Sequence, residues 1–404
     1  MRILFLDAYF EPEITSYTHL EKDLMDALVA FGYDIDVVCP TPTRGIDGQT
    51  AKKYSKIREQ VLYDGKVRVH RFWAPQEGRN TLIRAFRYFW CNLRSFSVAK
   101  KLKGFDLIFC NSTPPIQGLV AAKLKKKFNV PFVYNLQDIF PDSLVGAGKT
   151  KEGSFIWKMG RRIENKTYAA ADKIIVISNA FKKNNSEKGV SDDKVRVVYN
   201  WVDADLIKPI GRRDNRLFDE LGISRDGFIV VYAGNFGKAQ GVKVILDSAN
   251  LLKVRSDIKF VLFGCGAEYE EMIAYKEQNN IDNVIITPLL PQERVSEVYS
   301  LGDVNLITCK KGLGAASFPS KTWSIMACNS RIIASYDTDS ELAKVIADSN
   351  AGLVVEPEDP IVLADAIVKE MTYNHEVDLR KFLSKVADKT SCVTKYVEVI
   401  KGML

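Results

Sequence analysis

A lysine behind a glycine-rich stretch is a clear candidate for chemistry in the second half of the chain. Residues 312–341 read GLGAASFPSKTWSIMACNSRIIASYDTDSE, which predicts a loop, a short helix over Thr322–Cys328, a strand over Arg331–Ser335 and a polar turn ending at Glu341. Lys321 stands at the entrance of that helix. Loops at the carboxyl ends of strands and the free N–H groups of a helix start both bind anions, and a lysine there adds a full positive charge. The stretch therefore predicts a diphosphate site, with an ordinary solvated surface lysine as the alternative.

A second glycine-rich turn carries another lysine. The sequence AGNFGKAQG, residues 233–241, follows the apolar run FIVVYAG and precedes a helix predicted from Val242. Gly234 and Gly237 allow the backbone to approach a ligand closely, and Lys238 can reach an anionic group. Two further turns, FGCGAE and TPLLP, end later strands in the same way. Together these turns predict a rim at the carboxyl edge of a sheet, where a nucleotide would lie.

The first half offers a carboxylate at a strand end. Asp138, in QDIFPDS, follows an apolar strand and is expected to face a cleft between the two halves. A carboxylate there can accept a hydroxyl proton or orient a hydroxyl-bearing acceptor, whereas the alternative is a helix cap. The other residues predicted to bind the acceptor are polar side chains of neighbouring loops: Glu13, Ser16, Ser112 and Thr113.

Composition and missing motifs argue against several classes of protein. Neither half has G-x-G-x-x-G after its first strand or G-x-x-x-x-G-K-[ST], which argues against dinucleotide dehydrogenases and P-loop NTPases. The seven cysteines are scattered and the three histidines are far apart, so we expect reduced, mostly buried thiols and no metal site. The net charge of +7 fits an anionic ligand or membrane surface and does not by itself imply nucleic acid.

Strands and helices alternate along both halves, which predicts parallel α/β sheets covered by helices in a doubly wound arrangement. A length of 404 residues suits two domains, and the periodicity breaks near residues 200–212, where we place the linker. We expect a first domain over residues 1–205, a second over 206–385, and a C-terminal helix over 386–404 that is free to pack on the first. The predicted strands are Arg2–Asp7, Asp34–Cys39, Val67–Phe72, Asp106–Asn111, Pro131–Asp138, Lys173–Ser178, Val195–Asn200, Phe228–Gly234, Lys259–Gly264, Asn283–Thr287, Asp303–Cys309 and Arg331–Ser335.

One helical stretch, residues 81–103, has an unusual composition. It reads TLIRAFRYFWCNLRSFSVAKKLK, with aromatic and apolar residues at helical spacing and basic residues among them. Such a helix can lie in the plane of an anionic membrane surface, with its rings sunk and its basic groups at the headgroups. A core-facing helix with a solvated basic side is the alternative. The residues predicted to contact the membrane are Arg84, Phe86, Arg87, Phe89 and Trp90.

The sequence also bears on localisation. No window holds the roughly 20 uninterrupted apolar residues that span a bilayer. The first residues, MRILFLDAYF, predict a strand rather than a signal peptide. We therefore expect a cytoplasmic protein held peripherally on the inner face of the cell membrane.

Several motifs together resemble those of retaining glycosyltransferases of the GT-B fold, family 4, in the branch typified by N-acetylfucosaminyltransferases of O-antigen and capsule assembly. They run along most of the chain: MRILFLDAYFEPE, NSTPP, QDIFPDS, KIIVIS, VYNWVD, YAGNFGKAQG, FVLFGCGAE and FPSKTWSIMAC. The resemblance implies two Rossmann-like domains that face each other across a cleft. It also implies transfer of a sugar, expected to be of the N-acetylated hexosamine type, from a nucleotide diphosphate, expected to be UDP. The implied acceptor is a lipid-linked molecule or a saccharide, the anomeric configuration is retained, and no metal cofactor is required.

The resemblance also assigns roles to individual residues. Lys238 and Lys321 match positions where such enzymes neutralise the diphosphate, and with Asp138 they form the predicted catalytic set. Ala316 and Ser324 stand where many members carry two glutamates, a departure that affects the usual ribose contact. The predicted donor-binding residues are Gly234, Asn235, Gly237, Lys238, Gly264, Pro288, Leu289, Leu290, Ser317, Pro319, Ser320, Lys321, Ser324 and Glu341, which matches a glutamate near the donor.

Two other functions fit the same architecture. A nucleotide-sugar epimerase would need acid and base residues clustered around the sugar, and the second-half loops hold few of them. A catalytically silent partner of a transferase complex is consistent with the two missing glutamates. Product formed from the donor alone would favour the epimerase, and stabilisation by the donor without turnover would favour the silent partner.

Overall fold

The computed structural model describes residues 1–15, 17–76, 81–146, 148–314, 318–373 and 377–404, without the side chains of residues 81, 82 and 84. The chain forms two compact units. The first holds Met1–Tyr199 together with Cys392–Leu404, and the second holds Asn200–Ser391. Each unit is built on a sheet of mainly parallel strands alternating with helices, so the predicted pair of doubly wound, Rossmann-like α/β domains is confirmed.

The elements follow the predicted periodicity closely. The strands are β1 (Arg2–Leu6), β2 (Asp34–Pro40), β3 (Glu59–Leu62), β4 (Val67–Phe72), β5 (Leu107–Asn111), β6 (Phe132–Leu136), β7 (Lys173–Val176), β8 (Val195–Val197), β9 (Phe228–Asn235), β10 (Ile258–Cys265), β11 (Val284–Pro288), β12 (Val304–Thr308), β13 (Arg331–Ser335) and β14 (Gly352–Val355). The α-helices are α1 (Thr18–Ala30), α2 (Gly48–Tyr54), α3 (Thr81–Ala99), α4 (Gln117–Phe128), α5 (Asp142–Gly146), α6 (Phe155–Ala170), α7 (Asn179–Glu187), α8 (Leu217–Glu220), α9 (Lys243–Leu251), α10 (Tyr269–Gln278), α11 (Val295–Leu301), α12 (Lys321–Ala327), α13 (Glu341–Ser349), α14 (Pro360–Glu370), α15 (Leu379–Val386) and α16 (Lys389–Lys401).

The first unit contains an eight-stranded sheet in the order β3-β4-β2-β1-β5-β6-β7-β8. Its central strands are buried along their length, as their apolar runs predict, and Phe5 of β1 stacks on Phe109 of β5 at 4.9 Å. The edge strand β3 pairs antiparallel with β4 and was not predicted. Its residues, EQVL, alternate between exposed and half-buried positions, so they lack the apolar run by which a buried strand is recognised.

The second unit contains a parallel sheet in the order β11-β10-β9-β12-β13-β14. β9 and β10 lie inside this sheet, and their side chains are mostly buried. Because all six strands run in the same direction, the turns that follow them emerge at one edge. The predicted donor-binding residues come from the carboxyl ends of these strands, from the turns that follow them and from the starts of the next helices.

The chain ends in the first unit. α16 buries Cys392, Val393, Tyr396, Val397 and Ile400. The ring of Tyr396 lies 6.3 Å from that of Phe109, and its hydroxyl donates to Asn135 Oδ1 at 2.9 Å. The C-terminal helix is thus part of the core of the first unit.

Candidate active site

Three predicted donor-binding residues lie side by side on adjacent strands of the second unit. Gly234 of β9 pairs in register with Gly264 of β10, and Gly264 pairs with Pro288 of β11. The backbone N–H of Leu289 then donates to the carbonyl of Gly264 at 3.2 Å. Pro288 and Leu289 are exposed and Leu290 is half-buried. The structure therefore brings the turns after these three strands together at one sheet edge.

The turn after β9 is held by its own side chains. The Tyr232 hydroxyl donates to the carbonyl of Asn235 at 2.9 Å, and Asn235 Nδ2 donates to Gln240 Oε1 at 3.0 Å. Gly237 lies inside this turn, where an added Cβ would come within 2.5 Å of Asn235 Nδ2. Lys238 follows at the exposed tip. The Asn235 amide thus fixes the turn, while the Lys238 ammonium is in water.

Lys321 is the first residue of α12, and its ammonium lies against the end of β9. The Nζ atom is 4.0 Å from the centroid of the Tyr232 ring and 2.9 Å from the position that a Cβ on Gly234 would take. Burial lowers the pKa of Lys321 to about 7. No carboxylate among the described residues forms an ion pair with this ammonium, whereas the buried carboxylates of Asp36, Glu164 and Glu370 are each paired with a cation. A cation beside the half-buried backbone of Gly234, without a counter-ion among the described residues, is complementary to an anionic ligand.

The start of α12 differs from the sequence-based expectation. The N–H of Thr322 donates to the carbonyl of Pro319 at 3.0 Å, and that of Trp323 to the carbonyl of Ser320 at 3.2 Å. The expectation that the first turn of this helix offers free N–H groups to a phosphate is therefore wrong for these two residues. Ser320 is exposed, and Pro319 and Ser324 are half-buried. Positive charge at this site comes from the Lys321 side chain rather than from these N–H groups.

Asp337 was missed by the sequence reasoning and fastens the glycine-rich loop. Its two carboxylate oxygens accept from the N–H of Gly312 at 2.8 Å and from the N–H of Gly314 at 2.7 Å. The residue follows β13 in a polar turn, YDTDS, whose composition gives no sign that one of its aspartates binds a loop more than 20 residues earlier in the chain. The loop that leads toward Lys321 is thus tied to the turn that leads toward Glu341.

Glu341 begins α13, directly after β13 and its turn. Ser340 caps this helix by accepting from the N–H of Ala343 at 3.2 Å, and Glu341 is half-buried. Because β13 is separated from β9 by β12 alone, Glu341 lies at the same sheet edge as Lys321. Ser317, predicted to bind the donor, and Ala316 lie outside the described residues.

A chain of buried polar side chains crosses the carboxyl ends of three strands in the first unit. Asn111 of β5 donates to the Asp7 carboxylate after β1. Asn135 of β6 donates to Asn111 Oδ1 at 2.8 Å and to the Tyr17 hydroxyl at 2.7 Å, and it accepts from Tyr396. Sequence reasoning did not single out this network, although asparagines inside apolar strands were a visible signal. Buried amides with satisfied hydrogen bonds hold the sheet edge rigid.

Two residues predicted to bind the acceptor instead fasten loops. Glu13 is 1% exposed, and its Oε1 accepts from the N–H of Thr43 at 2.7 Å and of Arg44 at 2.9 Å. Burial raises the pKa of Glu13 to about 7. Ser112 is also buried, and its Oγ accepts from the N–H of Gln137 at 2.9 Å. In this conformation neither side chain is open to a ligand from solvent.

The other acceptor-side candidates are more accessible. Asp138 follows β6 and is exposed, and its Oδ2 accepts from the Ser143 hydroxyl at 3.0 Å. This local contact is of the capping type that the sequence left open, and the carboxylate remains exposed. Thr113 is exposed in the neighbouring turn after β5, and Ser16 lies outside the described residues.

The membrane prediction for α3 needs one correction. Phe86 and Phe89 are each 56% exposed, and Trp90 is half-buried with its ring 6.5 Å from that of Phe86. Arg87, in contrast, is 1% exposed and donates to the carbonyl of Pro75. It faces the protein interior and cannot bind lipid headgroups, because its guanidinium is buried. The side chain of Arg84 lies outside the described residues.

The cysteines are buried except Cys265, and all are free thiols, as predicted. Among the described residues no group of three His, Cys, Asp or Glu side chains could hold a metal ion. None of the helices, searched over the same residues, is long and apolar enough to cross a membrane.

Comparison with known families defines the class of protein. Residues 22–206 match the model of Glycosyltransferase Family 4, and residues 214–389 match that of Glycosyl transferases group 1. The two matches fall on the first and second units and together span most of the chain. The protein belongs to the glycosyltransferases of the GT-B fold, which confirms that part of the resemblance seen in its motifs.

The chain is similar in sequence to individual glycosyltransferases and in fold to several solved structures. The chain is 24% identical to the probable glycosyltransferase WbjE of Pseudomonas aeruginosa, over 78% of this chain and 83% of that protein. It is also 24% identical to the putative colanic acid biosynthesis glycosyl transferase WcaI of Escherichia coli K12, over the full length of both. Among solved structures, sucrose-phosphate synthase from Thermosynechococcus elongatus matches with a TM-score of 0.77 at 18% identity, covering 99% of this chain and 98% of that one. Anabaena Alr3699/HepE in complex with UDP and glucose matches with a TM-score of 0.73 at 16% identity over both full chains.

Proposed function

We propose that this glycosyltransferase moves a sugar of the N-acetylated hexosamine type from a UDP-linked donor to a lipid-linked or saccharide acceptor in surface polysaccharide assembly, with retention of the anomeric configuration. The observation that carries the proposal is the ammonium of Lys321, which lies beside Gly234 with no carboxylate partner among the described residues. A desolvated cation without a counter-ion costs stability, and a donor diphosphate would supply the missing charge.

The relatives support the finer parts of this proposal. WcaI is named for colanic acid biosynthesis, and the chain aligns with it over its full length. The Anabaena structure of the same fold holds UDP and glucose, which supports a uridine diphosphate donor. Membership of the N-acetylfucosaminyltransferase branch is part of the same proposal.

The chemistry follows from where charge develops. When the bond between the sugar C1 and the diphosphate oxygen breaks, negative charge grows on the leaving phosphate. Lys321, with Lys238 of the neighbouring turn, would stabilise that charge without a metal cofactor. The acceptor hydroxyl oxygen forms the new bond to C1, Asp138 orients that hydroxyl, and the departing phosphate takes its proton.

The α3 helix supports a place for the protein at an anionic membrane surface. Ile83, Phe86, Phe89 and Leu93 recur at helical spacing, and each is about half exposed. Exposed apolar side chains in one stripe are unusual on a monomeric surface and suit the headgroup region of a bilayer. We propose that this stripe, without Arg87, holds the protein peripherally on the inner face of the cell membrane.

The test begins with the donor. A thermal-shift screen should find that UDP and UDP-N-acetylhexosamines raise the midpoint of unfolding, because they bind only the folded protein.

Lys321→Ala should then reduce turnover by about 100-fold or more, as expected for loss of a group that stabilises transition-state charge, with little loss of stability. The matched control is Lys253→Ala, which removes an exposed lysine just after the C-terminal end of α9. Normal transfer by the Lys321→Ala variant would overturn the assignment, and product formed from donor alone would point to an epimerase.

A further inference from the structure

A second exposed apolar cluster lies on α6 and plays no part in the site described above. Phe155, Ile156 and Met159 form the outer face of the first turns of this helix, and they are 79%, 50% and 48% exposed. Ser154 caps the helix by accepting from the N–H of Trp157 at 3.2 Å, so these side chains are held on an ordered element. Three large apolar side chains in water at one helix start are a costly arrangement unless a partner covers them.

The surroundings of this cluster are basic. Lys149, Lys151, Lys158 and Arg162 are all exposed, and Glu152 is the one acidic residue between residues 149 and 162. This surface is therefore complementary to a partner with an apolar interior and a negatively charged boundary. A bilayer containing anionic lipids has this combination, since rings enter the acyl boundary while lysines meet the headgroups.

The apolar start of α6 is fixed to the loop that carries Asp138. Gly160 packs so closely on that loop that an added Cβ would come within 2.7 Å of the Phe140 ring and 2.8 Å of Pro141. The carboxylate of Asp142 also pairs with Arg161 at 2.6 Å. Residues 138–142 are therefore packed tightly against the first turns of α6.

This piece and the stripe on α3 belong to the same side of the sheet. α3 and α6 both pack against α4, which lies between them. Each helix begins where the chain has left a parallel strand, β4 or β6, at its carboxyl end. Their first turns, which hold Phe86 and Phe155, therefore point toward the same sheet edge as Asp138.

We infer that Phe155, Ile156 and Met159, with the lysines around them, form a second membrane-contact point that holds the Asp138 loop at an anionic lipid surface. The inference rests on the proposed function, in which Asp138 orients the acceptor and α3 lies on the bilayer. It adds a contact that residues 81–103 do not supply. It also places the acceptor-side loop where a lipid-linked acceptor would be presented.

The test uses the full-length protein and vesicles of defined composition. Sedimentation with phosphatidylglycerol–phosphatidylcholine vesicles should bring down the wild-type protein, and pure phosphatidylcholine vesicles should bring down much less. Phe155→Ser combined with Ile156→Ser should reduce binding to the anionic vesicles at least tenfold. The matched control, Leu251→Ser with Val254→Ser, removes two exposed apolar side chains of the second unit and should bind like the wild type. Hydrogen exchange should show vesicle-dependent protection over residues 138–159 of the wild type.

The outcomes separate this inference from the proposed function. Unchanged vesicle binding by the Phe155→Ser/Ile156→Ser variant, with no protection of residues 138–159, would overturn the inference. If that variant instead converts a dimer into a monomer, the face is an interface between copies of the chain, and the membrane assignment is wrong. In both cases a normal thermal shift with UDP would leave the proposed donor chemistry standing, whereas loss of that shift in the wild type would count against the proposed function alone.

Discussion

At the scale of single residues, the binding role proposed for Lys321 is accompanied by a cost in the free protein. Its ammonium lies over the Tyr232 ring, and burial lowers its pKa to about 7. Near neutral pH a large share of free molecules therefore carries an uncharged Lys321. A donor diphosphate favours the charged form, so its binding should draw a proton from solvent.

The dependence of donor affinity on pH follows from this shift. Below pH 7 Lys321 is already charged, and above pH 7 binding must include protonation, so affinity for UDP should fall by up to about tenfold per pH unit. The measurement is the dissociation constant of UDP by calorimetry between pH 6.5 and 9. Lys321→Arg keeps its charge throughout this range and should give a flatter profile. The same slope in the arginine variant would contradict the explanation.

Tyr232 is a positioning residue for Lys321 and for the turn after β9. Its ring lies under the ammonium, and its hydroxyl holds the carbonyl of Asn235. Tyr232→Phe keeps the ring and should retain most UDP affinity, while Tyr232→Leu loses the cation–π contact, worth about 0.5–2 kcal/mol, and should bind several-fold more weakly. Steady-state kinetics distinguish this role from a loss of folded protein. The leucine variant should change the KM for the donor and the pH dependence of the reaction, whereas a loss of folded protein would only lower the total activity. If the two variants bind UDP with equal affinity, the Tyr232 ring does not position Lys321.

At the scale of elements, buried polar side chains set the geometry of the strand-end loops. Glu13 joins the loop after β1 to the loop after β2, and Asp337 joins the glycine-rich loop to the turn after β13. A polar residue that is predicted to bind a ligand because of its type can therefore bind backbone N–H groups instead, as Glu13 does. Asp138, which stays exposed beside α5, remains the acceptor-side carboxylate that the proposal needs.

Glu13 should make stability depend on pH in a defined direction. Its folded pKa of about 7 lies above its ordinary value, so its contribution to stability is present at low pH and is lost as pH rises through 7. Glu13→Gln should therefore flatten the fall in the free energy of unfolding between pH 5 and pH 7.5. Urea unfolding at several pH values measures this, with the exposed Glu270→Gln as control. An unchanged slope in Glu13→Gln would assign the pH dependence to other groups.

At the scale of the whole molecule, the chain builds two α/β units and then returns to the first. Residues after Ser391 leave the second unit, and α16 places Tyr396 in the core beside β5 and β6. The first unit is therefore discontinuous in sequence, and its core includes α16. The predicted donor-binding residues, in contrast, all come from one continuous stretch of the second unit.

Truncation before Cys392 tests this division. It removes the five buried apolar side chains of α16, and burial of a large one is worth about 1.5–3 kcal/mol, so their sum is comparable with the 5–15 kcal/mol that stabilises a typical domain. Calorimetry should show the transition of the first unit lost or strongly lowered, while the transition of the second unit remains and still shifts with UDP. The control is truncation after Lys401, which leaves α16 whole. If truncation before Cys392 leaves the unfolding transition of the protein unchanged, α16 does not belong to the core of the first unit.

The sequence by itself determined the α/β class, the boundaries of most elements and the place of Lys321 at a helix start, because hydrophobic period, glycines and helix starts are local properties of the chain. Its motifs were also enough to indicate the glycosyltransferase family. Which polar residues face a ligand was decided by tertiary structure alone. Arg87 is buried beside Pro75, Glu13 is buried against the loop after β2, and Asn135 meets Tyr396 across 261 positions of sequence. Burial and pairing of charges depend on contacts between segments far apart in the chain, and local patterns carry little information about them.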